Sequence, residues 1–197
     1  GCISHTVPNY TLALEKGVDY IIDQIALRER RIRKGHNLTE ENQQKLGVYN
    51  AMKIALQGVM VYARNLSQKA SELADSEQDP LKKENFQKMA EVCAQVPAKP
   101  ARTFREAVNA LWIIHVAIHA ENINMAMSPG RLDQILYTYY KQDIERGTLT
   151  VKHALELVGC LWLKLNDNTN LVPEASEDLF GGAGTVPAVT VGGVDEN

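Results

Sequence analysis

Thr103-Phe104-Arg105-Glu106-Ala107-Val108-Asn109-Ala110-Leu111-Trp112-Ile113-Ile114-His115-Val116-Ala117-Ile118-His119 is the stretch on which the fold turns. It opens with T-x-x-E, a capping box, in which the Thr and Glu side chains satisfy helix-terminal N–H groups that have no partner one turn back. From Ala107 onward the stretch is apolar at nearly every position rather than along one stripe, so the helix is expected to be buried on most sides. Leu157 to Leu165 reads the same way, in a helix expected to start at a Thr150 cap and end near Leu165. Two helices apolar all round need covering layers that the rest of the chain barely provides. The expectation is a portion of a larger core.

Outward from there the chain is mainly helical. Leu14, Val18, Ile21 and Ile25 line one face of a helix over about residues 11–34, and its end carries Arg28, Arg30, Arg31, Arg33 and Lys34 before Gly35. Cations in a last turn complement the helix dipole, so this run is read as a solvated helix end. A longer helix opens at Thr39 and keeps apolar residues at spacings of three and four through Leu73. Gly47 and Gly58 inside it are read as places where a neighbour comes close. Asp79-Pro80 is a cap followed by a first-turn proline, which starts a helix to about Gln95. Pro97 and Pro100 predict an extended connection. Ser128-Pro129-Gly130 is read as a helix start, and Ala188 to Val191 as a short buried strand.

The 197 residues are 45% hydrophobic, which excludes disorder, and their net charge of −3 gives no reason to expect nucleic acid or an anionic membrane. No apolar run is long enough to span a bilayer. Three cysteines without a C-x-x-C pair suit a reducing compartment, and a cytoplasmic protein is expected. The start, Gly1-Cys2-Ile3 without Met, suggests a processed chain or a piece of a longer one.

Chemistry is sparse. His115 and His119 stand at i, i+4, a spacing that suits two ligands of one metal, but Val116 occupies the position where a zincin helix carries Glu. Hydrogen-bonded core histidines are the plainer reading, and no metal ligand is assigned. Gly181-Gly182-Ala183-Gly184 lacks the strand–loop–helix setting of a phosphate cradle and is read as a turn before a strand. His5 lies in a loop ahead of a helix, where it reads either as a simple helix-entry cap or as a substrate-binding group presented by a rigid scaffold.

Several stretches taken together resemble one family: His5-Thr6-Val7-Pro8-Asn9-Tyr10; residues 97–104 with Glu106 and Trp112; Ser128-Pro129-Gly130-Arg131-Leu132-Asp133-Gln134 with Tyr139-Tyr140; residues 161–167; and Phe180-Gly181-Gly182 with Val191-Gly192-Gly193. Their order resembles the pyruvate formate-lyase-like domain of glycyl radical enzymes, closest to the choline trimethylamine-lyase and B12-independent glycerol dehydratase branch. The resemblance implies an internal fragment of one such domain, with 1–168 helical and 169–197 loop and barrel strand. The helices would surround part of a ten-stranded α/β barrel. It implies that the segment binds no cofactor. The glycyl radical would be installed in the parent by a radical-SAM activating enzyme, and the full-length protein would be a homodimer. Cys2 lies in Gly-Cys-Ile-Ser, not the Gly-Cys-x-Glu of the reactive loop, so no catalytic residue is assigned and the fragment alone is expected to be inert.

Substrate-binding roles carry over by resemblance to His5, Asn9 and Asn122. In the choline branch an Asp stands where this chain has Asn9, and an amide offers no charge to a quaternary ammonium. A hydroxylated or carboxylated substrate is the expectation. The alternative is a catalytically inactive helical scaffold of the same ancestry.

Overall fold

A computed structural model of the chain describes residues 6–35, 39–121, 127–167, 174 and 188–192. Helices dominate: α1 (Tyr10–Lys34), α2 (Glu40–Ser76), α3 (Pro80–Gln95), α4 (Phe104–Glu121), α5 (Leu132–Glu145) and α6 (Val151–Asp167). Two short strands, β1 (Gly130–Arg131) and β2 (Val189–Thr190), pair in parallel with Gly130 opposite Val189. Contacts divide the chain into two compact units, Leu12–Ala101 and Gly1–Thr11 with Arg102–Asn197. Among the described residues no helix is long and apolar enough to cross a membrane, and Cys93 and Cys160 are both free thiols.

In the unit spanning Leu12–Ala101, α2 and α3 form a helical hairpin. Thr39 caps α2 by accepting from the Asn42 N–H, and Asp79 caps α3 through the N–H groups of Leu81 and Lys82. Small residues let the two helices approach: Ala63, Ala70 and Ala74 of α2 and Ala90 of α3 are buried, and Ser67 donates to the Ala90 carbonyl at 2.7 Å. Leu14, Val18 and Ile25 of α1 are buried as the spacing predicts. That helix is broken at Gly17, whose φ of 79° lies in the left-handed region. The break admits the turn after α3. Val18 N–H donates to the Pro97 carbonyl, Asp19 N–H to that of Ala98, and Ala101 N–H to that of Leu14.

Two expectations are corrected here. The Pro97–Pro100 connection is a turn, with Lys99 N–H bonded to the Gln95 carbonyl, because its carbonyls fold back onto the Gly17 break. Gly47 and Gly58 mark no close approach: a Cβ at either would meet nothing within 4 Å, and both lie on the open side of α2.

The other unit is built on α4. Thr103 accepts from the Glu106 N–H, as the capping box requires, but the Glu106 carboxylate reaches one residue further back, to the Arg102 N–H at 2.7 Å and its guanidinium at 2.6 Å. The Phe104 N–H goes instead to buried Asp143 of α5 at 2.7 Å. Phe104, Ala107, Val108, Leu111, Ile113 and His115 are buried, so the first turns of α4 form the core as expected, while Val116 to His119 are half-buried.

Three readings change in this unit. α5 begins at Leu132, because Gly130 and Arg131 are taken into the β1–β2 pairing by a partner far along the chain. In β2 and just beyond it, Val189 is half-buried while Thr190 and Val191 are exposed, so the strand is not a buried one. α6 buries only Ala154, Leu161 and Leu165; Leu155 and Leu163 are 67% and 71% exposed. Val151, Leu155, Val158 and Trp162 of α6, with Tyr137 and Tyr140 of α5, line an apolar groove of about 370 Å³.

Candidate functional site

Of the substrate-binding candidates, Asn9 lies within the described residues; His5 and Asn122 lie outside them, as does the 181–184 glycine run. Asn9 sits on a loop of residues 6–9, half-buried to exposed, that runs into the first turn of α1. The Thr6 carbonyl of this loop accepts from the Ser128 N–H at 3.0 Å, and the Tyr10 N–H donates locally to the Pro8 carbonyl.

Three motifs distant in sequence meet around it. Gly130 has a φ of 77°, and a Cβ there would lie 2.8 Å from a Val7 methyl, so glycine both permits the turn and leaves room for the loop. Ser128 Oγ accepts from the Ala188 N–H, and the Asp133 carboxylate accepts from the Gly192 N–H at 2.9 Å. Asp133 is also held by a two-pronged bond from Arg131, at 2.9 and 2.8 Å. That guanidinium, helped by the Gly192 and Gln134 N–H groups, holds the Asp133 carboxyl well below the usual carboxylate range. Residues 128–133 thus join the loop at 6–10 to the strand at 189–190.

Beneath the loop lies a buried polar cluster. Tyr10 is 1% exposed and His115 wholly buried, and Tyr10 Oη is 2.9 Å from His115 Nδ1. Burial first, and the neighbouring His119 second, push the His115 pKa down to about 4, so the ring is neutral at pH 7. Burial likewise pushes the Tyr10 phenol up, which keeps it protonated. A neutral imidazole and a protonated phenol fit this bond without burying a charge. His119 Nδ1–H donates to the His115 carbonyl at 2.8 Å. Trp112 stacks beside His115 with ring centroids 6.0 Å apart, and Lys164 of α6 stands 5.3 Å above the Trp112 ring.

Of the i, i+4 histidines, His115 is built into the core and His119 is half-buried. Their buried Nε2 atoms have no hydrogen-bond partner among the described residues, but two nitrogens do not make a site. Among the described residues no group of three His, Cys, Asp or Glu is placed to hold a metal ion. Sequence reasoning missed the Tyr10–His115 bond and the Asp133–Gly192 bond. The first joins residues 105 positions apart and the second residues 59 apart, and nothing local to either end signals its partner.

Comparison with known proteins places these features. The family description pyruvate formate lyase-like matches residues 2–197. Isethionate sulfite-lyase of Nitratidesulfovibrio vulgaris is 30% identical over 210 residues, spanning 98% of this chain and 25% of that protein. The glycerol-bound B12-independent glycerol dehydratase from Clostridium butyricum superposes with a TM-score of 0.88 at 30% identity, over 97% of this chain and 24% of its own. A glycyl radical enzyme from Archaeoglobus fulgidus gives a TM-score of 0.88 at 36% identity, over 98% and 24%. The chain spans about a quarter of the length of the relatives it matches.

Proposed function

Since the chain belongs to the pyruvate formate lyase-like family, we propose that it forms the helical, substrate-facing quarter of a glycyl radical lyase or dehydratase acting on a small polar substrate. The match over residues 2–197 carries this reading. The exposed Leu155, Trp162 and Leu163 side chains of α6 support it, since apolar groups of this size belong against further polypeptide.

In such an enzyme a cysteine thiyl radical takes a hydrogen atom from a substrate carbon: a C–H bond breaks, an S–H bond forms, and the unpaired electron moves to carbon. The substrate radical loses its leaving group, and the product radical takes the hydrogen atom back, so no external oxidant or reductant is consumed. None of that chemistry is assigned to residues of this segment, and no cofactor is assigned to it. Its part is to hold the substrate. His5, Asn9 and Asn122 supply hydrogen-bonding groups, and the two neutral amides suit a hydroxylated or carboxylated substrate and leave a quaternary ammonium without a counter-charge. A radical-SAM activating enzyme installs the radical, the full-length protein is a cytoplasmic homodimer, and the 197-residue segment alone is inactive.

The test is anaerobic activation of the full-length parent, measurement of its radical by electron paramagnetic resonance, and product analysis with glycerol, propane-1,2-diol, isethionate and choline. The expected result is radical-dependent product from a hydroxylated substrate and none from choline. A parent reading frame without a downstream Gly-Cys-x-Glu loop and a C-terminal glycine loop, or product formed without the radical, overturns the proposal.

A further inference from the structure

We infer that Tyr10 and His115 are a positioning pair, which sets the register of the substrate-binding loop without touching substrate. The inference rests on the proposed substrate-binding role of His5 and Asn9. Residues 6–9 have no regular secondary structure to fix them. They are held by the Thr6 carbonyl on Ser128 and by Val7 against Gly130. Tyr10 then anchors the end of the loop deep in the protein.

The anchor is directional. His115 is fixed by its own surroundings: Trp112 stacks on it, the His119 ring centroid is 4.4 Å away, and its carbonyl takes the His119 N–H. A phenol that must meet Nδ1 of an immobile ring at 2.9 Å fixes the depth and rotation of the first residue of α1. Asn9, one residue before it, inherits that register. Apolar side chains at 10 and 115 would fill the same volume with no buried polar group to satisfy, but would set no fixed depth or rotation for the end of the loop. The polar pair is the costlier solution and the more specific one.

The experiment uses the activated full-length parent with Tyr10→Phe, His5→Ala, the double variant, His115→Gln and His115→Leu. Thermal stability and radical content are recorded for each, and kcat and KM for whichever of glycerol, propane-1,2-diol or isethionate the wild type converts. Tyr10→Phe keeps the ring and the core, so it is expected to fold and to carry wild-type radical content while losing about tenfold or more in kcat/KM, mostly through KM. His5→Ala loses at least as much, and the double variant no more than twofold beyond His5→Ala, because Tyr10 acts through the loop. His115→Gln, which still offers the phenol a partner, retains more kcat/KM than His115→Leu. The inference is overturned by kcat/KM within twofold of wild type in Tyr10→Phe. Losses that multiply in the double variant, or a fall in radical content and kcat at unchanged KM, overturn it too. A wild type that converts none of the panel refutes the reading of the site, and the inference with it.

Discussion

Gly17 and Gly58 offer the same substitution with opposite expected outcomes. At Gly17, φ is 79° and an added Cβ would stand 2.5 Å from the Ala98 carbonyl oxygen, 2.7 Å from the Lys99 carbonyl carbon and 2.8 Å from Lys99 Cα. All three are backbone atoms and cannot rotate aside. The left-handed conformation costs an L-residue about 1–2 kcal/mol, and forcing backbone into occupied space typically costs about 1–3 kcal/mol more. Relief by moving the turn would break the bonds from Val18 and Asp19 to the Pro97 and Ala98 carbonyls. Gly17→Ala is therefore expected to destabilise the 197-residue chain by about 3 kcal/mol, a fall in Tm of roughly 6–12 °C for a chain of this size. At Gly58, in an open stretch of α2, a Cβ meets nothing within 4 Å. Gly58→Ala gains the ordinary helix preference of Ala, about 0.5–1 kcal/mol, and a Tm higher by about 1–4 °C. Thermal unfolding followed by circular dichroism at 222 nm reads both. A Gly17→Ala chain as stable as wild type, or a Gly58→Ala chain that loses as much as Gly17→Ala, refutes the reasoning.

Three other outcomes are expected in the unit that carries the loop. The His115 pKa falls from 6.5 unfolded to about 4 folded, so its neutral form is the one folding favours. Stability from this group is complete above pH 6.5 and lost as pH falls from 6.5 to 4, by up to about 3 kcal/mol; urea unfolding across that range should show the slope, and His115→Gln should flatten it. Asp133 contributes in the same direction, but its window lies at and below its ordinary 3.8. Asp143→Ala leaves the buried Phe104 N–H without its acceptor and removes a carboxylate from the start of α4, an expected loss of about 2–3 kcal/mol by urea unfolding, with Asp143→Asn losing less. Leu155→Lys with Leu163→Lys should lower binding of an anilinonaphthalene sulfonate dye while each change leaves stability within about 0.5 kcal/mol, since both side chains already face solvent.

Features whose causes lie within a few residues were legible in the sequence. The Thr39, Asp79 and Thr150 caps all accept the helix N–H groups that their positions predict, and α3 runs from Pro80 to Gln95 as the Asp-Pro signal implies. What could not be read has a distant cause. The apolar spacing through Leu14, Val18, Ile21 and Ile25 is unbroken, so nothing in α1 announces the break at Gly17, which is held by carbonyls about eighty residues downstream. Gly130 and Arg131 look like the entry to a helix until their partner strand at Val189–Thr190 is known. Leu157 to Leu165 is apolar on nearly every side, yet among the described residues the helices cover only one side of it. Its composition shows that it is built for burial, but not by what. The loop ahead of α1 was singled out by its place before a helix and by resemblance, but its anchor on His115 emerged only once α4 was placed beneath Tyr10.

The central claim, that this segment presents a substrate to radical chemistry located elsewhere, is tested most directly by a crystal structure of the full-length parent with its converted substrate bound. The expected result is a substrate hydroxyl within hydrogen-bonding distance of the His5 imidazole, Asn9 on the same pocket wall, and the Tyr10–His115 bond intact. A substrate bound with no residue of this segment in contact contradicts it.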